Sequence, residues 1–272
     1  MDNMYYARAN RIWKANLAFL RSLPMHDGNY VHPEDFERLN IVCSTLDLQS
    51  GKSSDGSGVF LTPFPKSKLH TLLNEKLPST TDQLLDEPDD FNEYVAIEVL
   101  YLIRNYVLDS DDEENYGGIM YEETTWSLRG MEWDEGERLV LQEKGHHWRV
   151  ESVFDKMDNH TPHVSPLLAD SAPIQEDKLS LAELCCILLC TARRLRRKEY
   201  RRHRIIPVTV ISVSGRLARI VHGYVDALAG KLRVFKSPIL NLLKEDNRSE
   251  IEVLVSWCLG QPTGSTTWVD LD

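Results

Sequence analysis

The sequence predicts an α+β protein with a mostly helical, acidic N-terminal half and a C-terminal module of order α-β-β-β-α-β. Apolar residues first recur at helical spacing, and β-branched and aromatic segments between glycine-containing turns dominate later. Charge divides the chain similarly. Residues 1–178 contain 16 basic and 33 acidic residues, whereas residues 179–272 contain 15 basic and 9 acidic residues. We predict an acidic region at 1–157, a linker at 158–177 and the module at 178–272.

The N-terminal region is predicted to be helical, with a small β meander at its end. Apolar residues at helical spacing over 12–23 predict a first helix that ends near Pro24. Pro33, followed by two acidic residues, is typical of a first helical turn and predicts a helix over 33–42. Residues 50–58 have the composition of a flexible loop. Further helices are predicted at 69–73 and 91–108, and the strands of the meander at 119–128, 138–142 and 148–154.

The C-terminal module has the clearest pattern. Ser180 and Glu183 have the spacing of a capping box and predict the start of a helix that continues into a basic stretch and ends before Pro207. Pro162, Pro166 and Pro173, with little periodicity around them, favour a linker before this helix. Strands are predicted at 208–213, 217–225, 231–236 and 266–269, with a helix at 249–259 before the last of them.

The basic stretch is the strongest functional signal. Residues 193–204 contain eight basic residues and one acidic residue, a net charge of +7, although the whole chain carries −11. Concentrated like charge repels itself and indicates a partner or a nearby acidic surface. The predicted polyanion-binding residues are Arg193, Arg194, Arg196, Arg197, Lys198, Arg201, Arg202 and Arg204.

Three interpretations of this basic stretch remain open. Its arginines could cover the outer face of the helix and pair with the chain's own acidic half, where each exposed pair would contribute about 0–1 kcal/mol. They could track the phosphates of a nucleic acid, with Tyr200 available for stacking. They also have the composition of a nuclear-localisation patch.

Cysteine usage and hydropathy indicate an intracellular protein, in the cytoplasm or the nucleus. The cysteines are odd in number, form no CxxC pair, and cluster in one apolar run, which favours reduced buried thiols. Residues 1–24 are interrupted by basic residues and lack the apolar core of a secretion signal. The longest apolar run, 184–190, is too short to span a bilayer, so we expect no membrane contact.

No metal, cofactor or catalytic residue is predicted. Gly51-Lys52-Ser53 resembles the end of a phosphate-binding loop, but the earlier glycine and the following helix are missing. Six possible metal donors cluster in the middle of the chain, but their spacing does not favour a site, because adjacent histidines on a strand face opposite sides. These donors are His146, His147, Asp155, Asp158, His160 and His163.

The order α-β-β-β-α-β is also the core order of the PD-(D/E)XK nucleases, which need acidic residues and a lysine on adjacent strands to hold magnesium. Lys236 is placed suitably, but Val234 occupies the acidic position and Asp226 only ends the second strand. A displaced site could instead use Asp134 with residues 142–144, which read Gln-Glu-Lys.

Residues 207–263 resemble a family of uncharacterised proteins from filamentous ascomycete fungi. The resemblance rests on an apolar strand, a strand containing Arg-Ile, a strand ending in Lys-Ser, and a helix bearing a tryptophan. The matching polar and aromatic residues are Arg219, Lys236, Ser237 and Trp257. The resemblance implies an intracellular fungal setting and transfers no catalytic residue.

The function that these patterns favour is a non-catalytic interaction or regulatory protein. Its basic helix would contact an unknown acidic partner, protein or nucleic acid, or the chain's own acidic half. The alternative is a nucleic-acid-binding or nuclease-like enzyme of PD-(D/E)XK topology with a degenerate or displaced metal site. A third interpretation is a small-molecule enzyme whose site is assembled between the two halves.

Overall fold

A computed structural model describes residues 2–24, 28–76, 92–108, 118–129, 140–143, 146–158, 160–243 and 247–268. Its helices are α1 (Asp2–Ser22), α2 (Lys66–Lys76), α3 (Asn92–Leu108), α4 (Ile119–Glu123), α5 (Leu181–Arg196) and α6 (Arg248–Cys258). Its strands are β1 (Tyr30–Val31), β2 (Ile41–Thr45), β3 (Leu61–Thr62), β4 (Trp126–Arg129), β5 (Val140–Glu143), β6 (His146–Lys156), β7 (Val164–Asp170), β8 (Leu179–Ser180), β9 (Val208–Ser214), β10 (Leu217–Asp226), β11 (Lys231–Lys236), β12 (Leu240–Asn241) and β13 (Gln261–Pro262).

Nine of these strands form one mixed sheet. Seven lie in the order β2-β11-β10-β9-β7-β6-β4, while β5 also pairs with β6 and β12 pairs with the start of β10. All neighbours are antiparallel except β2 with β11 and β7 with β9. The parallel pair β7 and β9 is connected through α5, as parallel neighbours require a crossover. The prediction of an α+β protein is confirmed.

The sheet is buried on both faces because alternate side chains of its central strands enter two separate cores. Val208 and Val210 pack with α1 and α5 on one face. Ile211 and Val213 pack with α3 and α6 on the other face. This period of two explains why β9 is a continuous apolar run in the sequence.

Two N-terminal predictions were wrong. Residues 33–42, predicted as a helix, form one 3₁₀ turn at Pro33–Asp35 followed by the start of β2. Asn40 adopts a left-handed conformation (φ 54°) that ends the turn, and the β-branched residues after it pair in parallel with β11. Residues 119–128, predicted as a strand, begin with the short helix α4 and become a strand only at Trp126.

The predicted linker at 158–177 is also wrong, because it contains β7. Every residue of β7 is buried, and the strand lies between β6 and β9 near the middle of the sheet. The three prolines misled the prediction. Pro166 lies within this strand, opposite Val153 and near a register shift in the pairing with β6, the kind of irregularity at which proline occurs in sheets. The regions 1–157 and 178–272 therefore contribute strands to one sheet and are not separated by a linker.

The C-terminal part follows the chain order α5, β9, β10, β11, β12, α6 and β13. The strand predicted at 266–269 is wrong where it is described, since Thr267 forms only an isolated bridge with His203. The final strand is instead β13, which pairs with β3 outside the main sheet. Within the described residues, the module therefore adds three long strands and the short β12 to the main sheet.

Candidate functional site

Helix α5 supports the basic stretch and begins with the predicted capping box. Ser180 Oγ accepts a hydrogen bond from the Glu183 N–H at 3.3 Å, and the Ser180 N–H donates to Glu183 Oε2 at 2.9 Å. Leu181 to Leu188 are all buried between α1 and the sheet. The clustered cysteines of this helix, Cys185, Cys186 and Cys190, are buried free thiols, and burial raises the pKa of Cys185 to about 12. The helix is a packed core element that ends in arginines.

The helix ends at Arg196, so the basic stretch is not one helix as predicted. Arg197 is extended (φ −82°, ψ 130°), and its N–H donates to the Arg194 carbonyl at 3.1 Å. A single 3₁₀ turn follows at Lys198–Tyr200, in which the side chain of Tyr200 is fully buried. The burial of this ring accompanies the end of the helix. Basic side chains that a continuous helix would place one turn apart are therefore separated.

Arg194 is the member of the basic stretch that serves the interior. Its Nη1 donates to the Tyr200 hydroxyl at 2.8 Å, and its Nη2 donates to the His163 carbonyl at 3.1 Å. The guanidinium also forms an ion pair with Asp155 at 3.1 Å and lies 4.5 Å from the centroid of the Tyr200 ring. Burial lowers the pKa of Arg194 to about 10, which still leaves it charged at neutral pH. Arg194 therefore joins the basic stretch to the acidic N-terminal region through its ion pair with Asp155.

The exposed members gather around an open groove of about 620 Å³, which we call the cationic groove. The side chains of Arg196, Arg197 and Lys198 are exposed, and that of Arg201 is half-buried. Arg201 Nη2 donates to the Arg196 carbonyl at 3.4 Å, which holds the two sides of the turn together. The cationic groove is lined by Arg196, Arg197, Lys198, Glu199 and Arg201. Four positive charges and one negative charge therefore share one surface.

Tyr6 lies beside this groove, and Trp268 lies against the basic stretch at Arg202. The Arg201 guanidinium lies 5.2 Å from the centroid of the Tyr6 ring, and that ring is 55% exposed. Arg8 lies 5.3 Å from the Trp268 ring, and the backbone N–H of Trp268 donates to the Arg202 carbonyl at 3.2 Å. Sequence reasoning missed these aromatic neighbours because they lie almost 200 residues before, and more than 60 residues after, the arginines they contact. Contacts between residues so far apart in the chain leave no pattern in a local stretch of sequence.

The other predicted polyanion-binding residues lie apart from the groove. Arg202 is exposed and Arg193 is half-buried on α5. Arg204 is half-buried and lines a second cavity, and its N–H donates to the Thr266 carbonyl at 2.7 Å. The structure thus divides the eight predicted residues into four at the groove, one in the interior and three elsewhere.

The possible metal donors do not converge. His146 Nε2 lies 2.7 Å from Asp170 Oδ1, and His163 Nε2 donates to the Phe60 carbonyl at 2.8 Å. Asp155 pairs with Arg194, and Asp158 accepts hydrogen bonds from its own turn. In the part of the chain that the structure describes, no three histidine, cysteine or acidic side chains are placed to hold a metal ion.

Strand β10, the second strand of the nuclease-like arrangement, carries a buried ion pair to α5. Arg219, near the start of β10, donates from Nε to Glu183 Oε1 at 2.6 Å, and both side chains are buried. The Lys236 ammonium donates to the Glu176 carbonyl. Asp226, at the end of β10, lies 3.7 Å from Arg233 Nε, and Val234 is a buried apolar residue. Of the displaced nuclease-like site, Asp134, Lys144 and the side chains of residues 142 and 143 lie outside the described residues.

Comparison of this chain with protein-family models, with curated proteins and with solved structures finds no match. Within the described ranges, no helix is both long and apolar enough to cross a membrane.

Proposed function

We propose that this chain is a non-catalytic interaction or regulatory protein that binds an acidic partner through the cationic groove. The observation that carries the proposal is the exposure of Arg196, Arg197 and Lys198 at the end of a buried, capped helix. Collecting these charges costs self-repulsion, and an approaching polyanion removes that cost and releases counterions. Because α5 is held in the core, the groove is presented on a rigid support.

The contacts of the basic stretch support two compatible roles for its residues. Arg194 is committed to Asp155 and Tyr200, and so anchors the turn to the acidic half. The exposed cations beyond it lie at the surface, where a second molecule can reach them. An intramolecular role for Arg194 is therefore compatible with an intermolecular role for the groove.

Single-stranded nucleic acid is a second candidate partner, favoured by the contact of Arg201 with Tyr6. An exposed aromatic ring beside several guanidinium groups offers stacking for bases and ion pairs for phosphates. An acidic protein segment would use the cations but would leave Tyr6 unused. Replacing Tyr6 with leucine should therefore weaken the binding of an oligonucleotide and leave the binding of polyglutamate unchanged.

We expect the triple variant Arg196→Gln, Arg197→Gln, Lys198→Gln to lose polyanion binding. Oligothymidylate and polyglutamate, each fluorescently labelled, are titrated against the full chain at several salt concentrations. The slope of log affinity against log salt for the oligonucleotide should become shallower by about 2 units, since each phosphate contact contributes about 0.7. Affinity at low salt should fall on the order of tenfold to a hundredfold.

The matched control replaces three exposed lysines outside the groove, Lys52, Lys66 and Lys231, with glutamine. It changes the net charge by the same amount, so any effect of total charge appears in both variants. Equal losses in the two variants, or binding by the parent that does not depend on salt, would refute the groove as the binding surface.

A further inference from the structure

A second cavity, of about 310 Å³, lies at the end of β10 on the face packed by α3 and α6. Its volume is at the lower end of the range of small-molecule sites, about 300–1,000 Å³. We call it the Phe60 pocket. Its lining comprises Ser57, Gly58, Phe60, Arg204, Ile205, Tyr224, Asp226, Ala227, Leu228 and Arg233. It combines an apolar floor with two guanidinium groups.

The floor of the pocket is held rigidly. The Phe60 N–H donates to His222 Nε2 at 3.3 Å, and the Phe60 carbonyl accepts from His163 Nε2 at 2.8 Å. His222 on β10 and His163, just before β7, thus satisfy both backbone polar groups of Phe60. Its ring meets Tyr224 edge to face, with 5.1 Å between the centroids. The apolar surface is therefore formed before any ligand arrives.

The acidic group on the pocket wall already has partners. Asp226 Oδ1 accepts from the N–H groups of Leu228 and Ala229 at 3.2 and 3.1 Å, and Oδ2 lies 3.7 Å from Arg233 Nε. These bonds fix the turn that places Leu228, a 57% exposed side chain, at the pocket. Asp226 is thus largely committed to the turn and to Arg233.

Arg204, unlike Asp226, has a polar atom without a partner in the described part of the chain. Its Nε is buried and finds no acceptor among the residues that the structure describes. Buried donors in folded proteins almost always have an acceptor. The phenol of Tyr224 adds a second donor, and burial raises its pKa further above the neutral range. Asp226 pairs with Arg233, whereas no carboxylate of the described residues pairs with Arg204. The pocket wall therefore carries one uncompensated positive charge, which favours an anionic ligand.

We propose that the Phe60 pocket binds a small organic carboxylate with an aromatic or branched apolar body. The carboxylate would accept from Arg204, and the body would lie against Phe60, Tyr224 and Leu228. This site is separate from the cationic groove, since its lining shares no residue with that of the groove. It does not depend on the proposed function.

The test is an NMR titration of the isotope-labelled full chain with benzoate, benzamide and inorganic phosphate. Benzoate should bind with a Kd of about 1 mM, as expected for so small a ligand. Benzamide has the same shape without the charge and should bind about tenfold more weakly. Phosphate has the charge without the apolar body and should also bind more weakly than benzoate.

Two variants and one control locate the site. Arg204→Gln should weaken benzoate about tenfold, and Leu228→Ala about threefold. Arg202→Gln is the matched control, because Arg202 is an exposed neighbour that does not line the pocket. The unfolding midpoint of each variant shows whether it folds, and Leu228 is exposed enough for its removal to be tolerated.

Three results would overturn the proposal: no saturable shift with benzoate, equal affinity for benzoate and benzamide, or equal affinity in Arg204→Gln and the parent. If phosphate binds as tightly as benzoate, the apolar body has no role, and the proposal also fails. The triple variant of the cationic groove should bind benzoate normally, so the two sites succeed or fail independently.

Discussion

Replacing Arg219 with methionine should lower the free energy of unfolding by about 3–5 kcal/mol, the cost of leaving a buried charge unpaired. Arg219 is 1% exposed and Glu183 is fully buried, and the two side chains form a bidentate ion pair. Arg219 Nη1 also donates to the Gln175 carbonyl at 2.9 Å. Without the guanidinium, Glu183 would keep a negative charge in the interior or would have to take up a proton.

The same carboxylate connects the ion pair to the start of α5. Glu183 accepts from the Ser180 N–H, and the Ser180 hydroxyl donates to Asp170 on β7. Asp170 in turn accepts from the Ala172 N–H at 2.9 Å. One buried polar network thus joins β7, α5 and β10, so its loss should affect the whole sheet and not one helix end.

A double-mutant cycle separates the charge from the cap. Glu183→Gln keeps an acceptor for the Ser180 N–H but removes the charge. The double variant, Arg219→Met with Glu183→Gln, should therefore recover part of the loss in Arg219→Met, as measured by urea unfolding. The control pair is Arg248 with Glu252, which is partly exposed at 3.2 Å and should contribute about 0.3–0.5 kcal/mol. A cost below about 1 kcal/mol for Arg219→Met would show that the pair is not desolvated as the structure indicates.

The parts of the fold that the sequence predicts are those with local signals. The capping box of α5, the apolar stripe of α3 and the turn at Gly215 between β9 and β10 each depend on neighbouring residues. The parallel pairs are different. Strand β2 pairs with a strand almost 200 residues later, and β7 is recognisable only through its burial between β6 and β9. Pro33 and the acidic residues after it therefore favoured a helix for the first, and the prolines around β7 favoured a linker for the second.

For the candidate site, the sequence predicts the charged stretch but not how the structure arranges it. The density of arginine and lysine identified the stretch 193–204, because charge is a property of composition. The division of these basic residues between the groove and the interior could not be predicted. It follows from the burial of Tyr200, whose ring contacts Arg194 in the interior. The sequence has no signal that Arg204 belongs to a different cavity, because that cavity is formed with Phe60, just before β3, and Tyr224 on β10, which lie far apart in the chain.

We expect the protein to lose stability steeply as the pH falls from about 6.5 towards 3, because three histidines are buried in the neutral form. Burial lowers the pKa of His163 and His222 to about 3 and that of His203 to about 4, from an ordinary value of 6.5. Neighbouring cations act in the same direction, Lys156 on His163 and Arg202 on His203. The hydrogen bonds agree with neutral rings, since His222 Nε2 accepts from the Phe60 N–H.

The direction of this change in the free energy of unfolding follows from proton binding. Above pH 6.5 these histidines are neutral in both states and contribute no dependence on pH. Below it, the unfolded chain binds protons that the folded chain does not, so acid favours unfolding. Each such histidine should lower the free energy of unfolding by about 1.4 kcal/mol per pH unit within this window, until its folded pKa is reached.

Single substitutions test whether these rings are the cause. His163→Gln can still donate to the Phe60 carbonyl, and His222→Gln can still accept from the Phe60 N–H, but neither glutamine titrates. Urea unfolding between about pH 6 and pH 4 should therefore show a slope smaller by about 1.4 kcal/mol per pH unit in each variant. His70→Gln, at an exposed ring, is the control for removing a histidine without altering the core. An unchanged slope in both core variants would contradict this prediction, because it would mean that these rings take up protons in the folded state. Protonation of His222 would break its hydrogen bond from the Phe60 N–H.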